Sequence, residues 1–146
     1  MKWLRPAFAF ALACAAAAWV LLKPAPPPEP AFDLPVVEVP SGQAIYFAEV
    51  IRSERGAAGL VYRFRFIAPG IARDGGTVTP EQARDDMQAL CDGFGIDHLP
   101  SMGPTPGQLI ISLSDRATAF GEPAPEATQY FEAYRVEDGK CVWEMF

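Results

Sequence analysis

Hydrophobic and polar residues alternate along two neighbouring stretches of the chain, residues 44–53 (AIYFAEVIRS) and residues 60–67 (LVYRFRFI). In the second stretch, aromatic residues occupy every other position and arginines stand between them. A period of two is typical of a strand with one buried and one solvated face. Residues 36–39 have the composition of a short edge strand and are followed by a Pro-Ser-Gly turn. We therefore expect three antiparallel strands whose sheet has one wet side.

A helix is predicted next, because Thr79 can cap it, Pro80 suits its first position and Gln82 completes a capping box. Gly93 and Gly95 are expected to end it. The apolar residues of the segment recur at helical spacing: Ala83, Met87, Leu90, Cys91 and Phe94. The charged residues of the segment are expected on its solvated face: Arg84, Asp85, Asp86 and Asp92.

The last third of the chain predicts further strands. Residues 109–113 (LIISL) form a nearly continuous apolar run, which indicates a central strand, and Asp138-Gly139 is a strong signal for a two-residue hairpin turn. That turn pairs Val136 with Cys141 and Tyr134 with Trp143. It gathers five apolar side chains on one face, which we expect to be a core face: Tyr134, Val136, Cys141, Trp143 and Met145.

These elements predict an α+β fold. We expect an antiparallel sheet of five to six strands with one amphipathic helix packed on one face, in the order β-β-β-α-β-β-β. The 146 residues leave room for one domain, which we place at residues 36–146.

The N-terminal segment has a different character. Residues 7–22 are all apolar, a run of 16 behind Lys2 and Arg5, and residues 24–35 form a proline-rich linker. Residues 1–23 are therefore expected to act as a signal peptide or as an uncleaved signal-anchor. Cys14 could be a lipidation site, but the spacing favours the alternative that it is simply a small residue in an apolar segment. The predicted location is the periplasm, either soluble or tethered to the inner membrane.

Two cysteines remain in the predicted domain, Cys91 and Cys141, and both fall on core-facing positions. In an oxidising compartment such a pair predicts a disulfide, whereas two buried thiols are the alternative. Closing this loop would stabilise the fold by about 4 kcal/mol on chain-entropy grounds. Two thiolates and one distant histidine do not complete a metal site, so no metal is expected.

Candidate binding residues lie at the ends of the predicted elements. They are the pairs Arg73-Asp74 and Asp115-Arg116, together with the single histidine, His98. Local turn chemistry and surface ion pairing explain the two pairs equally well. No catalytic motif or cofactor motif is recognised, so no catalytic residue is assigned and no cofactor is expected.

The wet face of the sheet is a further candidate. Arg63, Arg65 and Arg135 are expected to share it and to attract an anion. Their charge is expected to be largely neutralised by three glutamates: Glu49, Glu132 and Glu144.

Three stretches make the chain resemble a family of small exported alphaproteobacterial proteins that is classed only as a domain of unknown function. They are FRFIAPGIARDGGTV (64–78), DMQALC (86–91) and PEATQYFEAYRVEDGKCVWEMF (125–146). The resemblance covers nearly all of residues 36–146. It implies an exported single-domain protein without an assigned activity, and no functional residues carry over from it.

Charge and size restrict the function. The net charge of −6 repels phosphate backbones, so nucleic acid is not an expected partner. The preferred hypothesis is a non-catalytic periplasmic interaction or envelope accessory module whose partner is an envelope protein, with inner-membrane contact through an uncleaved N-terminal segment. The alternatives are a small-ligand-binding domain that uses the two charged loops, and a hydrolase with an unrecognised site around Asp97, His98 and Asp115.

Overall fold

The computed structural model describes residues 34–53 and 59–145, which form six strands and one α-helix, with a short 3-10 helix at Pro69–Ile71 and a π-helical turn at Cys91–Gly95. In chain order the strands and the α-helix are β1 (Val36–Val37), β2 (Ile45–Ser53), β3 (Val61–Ile67), α1 (Pro80–Leu90), β4 (Gln108–Ser114), β5 (Gln129–Glu137) and β6 (Lys140–Glu144). All six strands belong to one sheet in which their spatial order is their sequence order. The predicted α+β fold and the predicted element order are confirmed.

One pair of strands departs from the antiparallel expectation. β3 and β4 run parallel, with Val61 opposite Gln108 and Ile67 opposite Ser114, while the other four pairs are antiparallel. The cause is the connection between them: the chain leaves β3, crosses one face of the sheet through α1 and starts β4 from the opposite end. Adjacent strands joined by such a crossover must be parallel.

Helix α1 begins as its sequence predicts. The Thr79 hydroxyl accepts a hydrogen bond from the Gln82 N–H, and the Gln82 side chain accepts one from the Thr79 N–H. The helix does not stop at the glycines, because a π-helical turn, Cys91–Gly95, continues it. The apolar face of both helical pieces packs on β3, β4 and β5, where Phe64, Ile111 and Tyr134 are almost fully buried.

One carboxylate was placed on the wrong side of α1. Asp86 was expected on the solvated face, but it is fully buried. Its side chain accepts hydrogen bonds from the N–H and hydroxyl of Ser41 (2.9 and 2.6 Å) and from the side-chain amide of Gln43 (2.7 Å). The segment between β1 and β2 folds over this position and supplies the donors, which the helical periodicity alone does not reveal.

A β-bulge at Ala48 reverses the facing of β2. The register against β3 shifts between Phe47, opposite Phe66, and Glu49, opposite Arg65. Since side chains alternate along a strand, the extra residue moves all later positions to the other face. Phe47 therefore packs on the core, whereas Glu49 and Ile51 lie on the face away from α1.

The C-terminal hairpin has the predicted register. Val136 pairs with Cys141 and Tyr134 with Trp143, around a turn whose residues Asp138 and Gly139 have φ values of 50° and 73°. The expectation that its apolar face is core is only partly right, since Trp143 is 48% exposed and Met145 is 82% exposed. β6 is an edge strand, and its main contact with the helical segment is the π-helical turn at Cys141.

The predicted disulfide is present. Cys91 in the π-helical turn is bonded to Cys141 in β6, with 6.0 Å between their Cα atoms and 50 residues between them in sequence. Asp92 and Gln88 add two hydrogen bonds at the same place: the Cys141 N–H donates to Asp92 (2.8 Å), and the Gln88 amide donates to the Cys141 carbonyl (2.9 Å). The helical segment is thus joined to the edge strand covalently and by hydrogen bonds.

The predicted leader (residues 1–23) and residues 24–33 of the predicted linker lie outside the described residues. Within residues 34–53 and 59–145, no helix has the length and apolar character needed to cross a membrane.

Candidate binding groove

An open groove of about 650 Å³ crosses the face of the sheet that points away from α1. We call this the wet-face groove. Strands β2, β3 and β4 form its floor, and Phe120 from the loop between β4 and β5 forms part of its wall. The described residues that line it are Ile51, Arg52, Ser53, Val61, Arg63, Gln108, Ile110 and Phe120. Its volume is in the range of small-molecule binding sites.

Arg65 lies beside the groove and is fully engaged with the protein. It forms an ion pair with Glu49 across the strand pair. Its other guanidinium nitrogen donates to the carbonyl of Thr118 (2.7 Å) and to the Thr118 hydroxyl (2.9 Å). These bonds hold the loop that carries Phe120 against the sheet, and they leave Arg65 with a compensated charge.

Arg63 is in a different situation. It is half-buried in the groove, and no carboxylate or carbonyl among the described residues bonds to its guanidinium. Its Cζ atom lies 5.7 Å from the centroid of the Phe120 ring, and the Cζ atom of Arg65 lies 5.6 Å from the same centroid. Burial, and then the positive charge of Arg65, lower the pKa of Arg63 from its ordinary value. The groove therefore contains a partly desolvated cation for which the described residues provide no anion.

The third arginine of this face is paired. Arg135 bonds to Glu144 (2.7 Å) and to Glu137 (2.8 Å). The expected neutralisation by Glu49 and Glu144 is thus confirmed. The same expectation is wrong for Glu132, which lies on the face of the sheet that carries α1 and bonds to Arg84 and Trp143.

The two charged loops singled out in the sequence meet at Thr128. Its hydroxyl accepts a hydrogen bond from the Arg73 N–H (3.1 Å), and its carbonyl accepts one from the Asp115 N–H (3.0 Å). Asp115 is bound by both Nε and Nη2 of Arg116 (2.9 and 3.1 Å). The Arg116 hydrogen bonds, the backbone near Thr128 and the charges of Arg116 and Arg73 lower the pKa of Asp115, against the opposing effect of burial.

Arg73 borders an open depression of about 580 Å³. Neither Asp74 nor the Asp115-Arg116 pair lines this depression. Asp74 is exposed. The charged pair Asp115-Arg116 is mutually satisfied, so its geometry is that of a structural ion pair at the end of β4.

His98 is separate from both loops in its bonding. Its Nδ1 atom lies 2.8 Å from the Phe94 carbonyl oxygen, and its ring stacks on the Phe94 ring with 3.8 Å between centroids. Among the described residues, no hydrogen bond joins it to Asp97 or Asp115. Nor does this part of the chain contain a cluster of three or more His, Cys, Asp or Glu residues that could hold a metal ion.

Of the eight described residues that line the groove, only Arg63 was singled out from the sequence, and Ile51 and Phe120 illustrate why the others were missed. Simple alternation assigns Ile51 to the wrong face, because the bulge at Ala48 leaves no clear mark in the sequence. Phe120 lies in an irregular loop rich in Gly and Pro, where no periodicity indicates which side it faces. The three wet-face arginines were the one signal that pointed to this surface.

Comparison with known proteins places the chain in a family. Residues 12–146 match the model of DUF6497, a family of unknown function, and because the match spans most of the chain, the chain belongs to that family. The predicted membership of a family of unknown function is confirmed, while export and source organism stay predictions. Searches of curated proteins and of solved structures found no significant match.

Proposed function

We propose that this chain, a member of a family without an assigned function, is an exported, non-catalytic binding module of the cell envelope. We propose further that the wet-face groove is its binding site. The observation that carries the proposal is Arg63, a half-buried cation without an anionic partner among the described residues, set in a groove with apolar walls. The proposed ligand therefore has an anionic group and an apolar body.

The chemistry of the groove supports binding rather than bond breaking. Its polar side chains are those of arginine, glutamine and serine, and its apolar side chains come from Ile51, Val61, Ile110 and Phe120. Guanidinium and amide groups orient a ligand by hydrogen bonds, and apolar walls supply affinity. By contrast, the best candidate base in the chain, His98, is stacked on Phe94 and does not line the groove.

The groove can be tested with an anionic aromatic probe, 8-anilinonaphthalene-1-sulfonate. Titration of the full chain, followed by the ¹H–¹⁵N NMR signals of Arg63, Ile110 and Phe120, reports binding at this surface alone. We expect Arg63→Gln to weaken binding at least tenfold, because a charge-assisted hydrogen bond in a partly desolvated site contributes about 1.5–3 kcal/mol.

The control is Arg135→Gln, which removes an arginine from the same face that already has two carboxylate partners. It should bind the probe like the wild type. Equal affinity of Arg63→Gln and wild type, with both folded, would refute the groove as the site.

A second matched pair tests the wall. Phe120 and Phe131 are 57% and 56% exposed, and alternation along β5 puts Phe131 on the same face of the sheet. We expect Phe120→Ala to weaken probe binding severalfold and Phe131→Ala to leave it unchanged. A larger loss in Phe131→Ala would place the site elsewhere on the sheet.

The envelope location is supported by the apolar run at residues 7–22 and by the disulfide, which belongs to oxidising compartments. Cell fractionation combined with thiol alkylation tests it. We expect the protein in the periplasmic or inner-membrane fraction with Cys91 and Cys141 protected from alkylation. Recovery in the cytosol with both thiols reactive would contradict it.

A further inference from the structure

We infer that the wet-face groove selects an amphiphilic monocarboxylate: a single carboxylate for Arg63, carried on an alkyl or aryl body that packs between Ile51, Ile110 and Phe120. This inference rests on the proposed function and specifies the ligand class of the same site.

The number of uncompensated charges sets the charge of the ligand. Three arginines project from β3 and β5 on this face, and two of them have carboxylate partners within the protein, Arg65 with Glu49 and Arg135 with Glu144. Only Arg63 of these three has none among the described residues. One anionic charge therefore completes the pairing of this face.

A second negative charge on the ligand would be unfavourable. Arg52, the other arginine that lines the groove, already has an interaction within the protein. A dianion such as a phosphate monoester would therefore bring a second charge for which the described lining residues offer no further free cation. Taking an unpaired charge out of water is unfavourable, and the net charge of −6 adds a repulsive field. A carboxylate also fits the planar fork of a guanidinium, which can bind both of its oxygens.

The shape of the groove sets the body of the ligand. A volume of about 650 Å³ is far larger than one carboxylate needs, and three of its apolar side chains come from different elements: Ile51 from β2, Ile110 from β4 and Phe120 from the loop after β4. Burying a hydrocarbon between them is favourable, because every methylene group removed from water adds to the affinity. The Phe120 ring is held near both Arg63 and Arg65, so it offers an apolar edge directly beside the carboxylate position.

The experiment compares four probes that share parts of this chemistry: octanoate, octanol, octyl phosphate and acetate. Each is titrated into the full chain at pH 7.5, where octyl phosphate is mainly dianionic, and the NMR signals of Arg63, Ile110 and Phe120 are followed. We expect octanoate to bind at least fivefold more tightly than octanol and octyl phosphate, and acetate to bind more weakly than octanoate.

Variants separate the charge from the shape. In Arg63→Gln, octanoate should fall to the affinity of octanol, while octanol itself should be unchanged. In Arg63→Lys, which keeps the charge but loses the planar fork, octanoate should lie between wild type and Arg63→Gln. Arg135→Gln should behave like the wild type with all four probes.

Two results would overturn the inference. If octyl phosphate binds as tightly as octanoate, the site accepts dianions, and if octanol does so, the charge is irrelevant. Either result is distinguishable from failure of the proposed function, because the Arg63-dependent binding of the naphthalene sulfonate probe would still identify the groove as a site.

Discussion

Asp86 is a buried carboxylate whose partners are all neutral hydrogen-bond donors of a neighbouring segment. Its replacement by alanine would leave the Ser41 N–H, the Ser41 hydroxyl and the Gln43 amide without their acceptor. We expect Asp86→Ala to lower the free energy of unfolding by about 3 kcal/mol, because hydrogen bonds to charged groups are strong and unsatisfied buried donors are costly. Urea unfolding followed by far-UV circular dichroism measures this.

The neighbouring carboxylate is the control for that change. Asp85 is exposed on the same helix, so Asp85→Ala should change stability by no more than about 0.5 kcal/mol. Similar losses in the two variants would mean that the Asp86 hydrogen bonds contribute no more than a surface charge.

Asp115 makes the stability of the fold depend on pH in the acidic range. Its pKa is lowered in the folded chain, chiefly by the Arg116 hydrogen bonds, so the ionised form stabilises the fold. That contribution is present above the unfolded pKa of about 3.9 and is lost as the pH falls through the lower folded pKa. Asp115→Asn should therefore be less stable than wild type at pH 7, and the difference should shrink as the pH falls below about 4.

Thermal melts at several pH values between 2.5 and 7 measure that difference. Asp97→Asn, which changes an exposed aspartate outside the ion pair, should follow the wild type at every pH. A gap between Asp115→Asn and wild type that widens towards low pH would reverse the assigned sign.

At the residue scale, periodicity predicted burial well for regular apolar positions and less well for polar ones. Leu90 and Cys91 were placed correctly, because a helix on a sheet buries one stripe. Asp86 and Arg63 were not understood from the sequence, since their environment depends on which remote segments supply or lack a partner. Pairing between distant segments has no local sequence signal.

At the scale of elements, strand β6 shows how an exposed edge is closed. In a two-residue hairpin the pair Val136–Cys141 is a non-hydrogen-bonded pair, so the N–H and C=O of Cys141 point to the outer edge of the sheet. Asp92 and Gln88 satisfy both groups from the helical segment. Covered edge groups prevent a second chain from adding a strand there.

We therefore expect Asp92→Ala to promote self-association. It frees the Cys141 N–H at an edge that also exposes Trp143, and sedimentation velocity over a range of protein concentrations should detect the resulting dimers or larger species. Asp85→Ala removes the same charge from the helix without touching the edge and should stay like the wild type. If Asp92→Ala shows the same concentration dependence as Asp85→Ala, the side-chain cover is not what protects this edge.

The sequence predicted which strands and which helix form. It did not predict that β3 and β4 pair in parallel. The capping box at Thr79 and the turn at Asp138-Gly139 are local signals, so the helix start and the last hairpin followed directly. The parallel pairing of β3 with β4 depends on the path of the crossover, which strand composition does not encode. The C-terminal end of the helix was also missed, because Gly93 and Gly95 lie inside a π-helical turn, Cys91–Gly95, instead of ending the helical segment.

At the scale of the whole molecule, the disulfide joins two parts of the fold that are 50 residues apart. We expect Cys141→Ala to lower the free energy of unfolding by about 4 kcal/mol, because the open chain gains conformational entropy when it unfolds. Urea unfolding of the full chain measures the loss, and reduction of the wild type with dithiothreitol should reproduce it.

Cys14→Ala provides the matched control, since it removes a cysteine from the predicted leader and leaves the disulfide intact. Its unfolding midpoint in urea should equal that of the wild type. An unchanged midpoint in Cys141→Ala would show that the surrounding hydrogen bonds alone hold β6 to the helical segment.

The extra residue in β2 has a consequence for sequence alignments within the family. A homologue that lacks the residue equivalent to Ala48 would keep its groove only if the polarity of the following five positions, residues 49–53, were also inverted. Alignments should therefore show either a conserved residue count between the Phe47 and Ile51 equivalents, or a gap accompanied by exchanged polar and apolar columns. A gap without that exchange would identify members that have lost this surface.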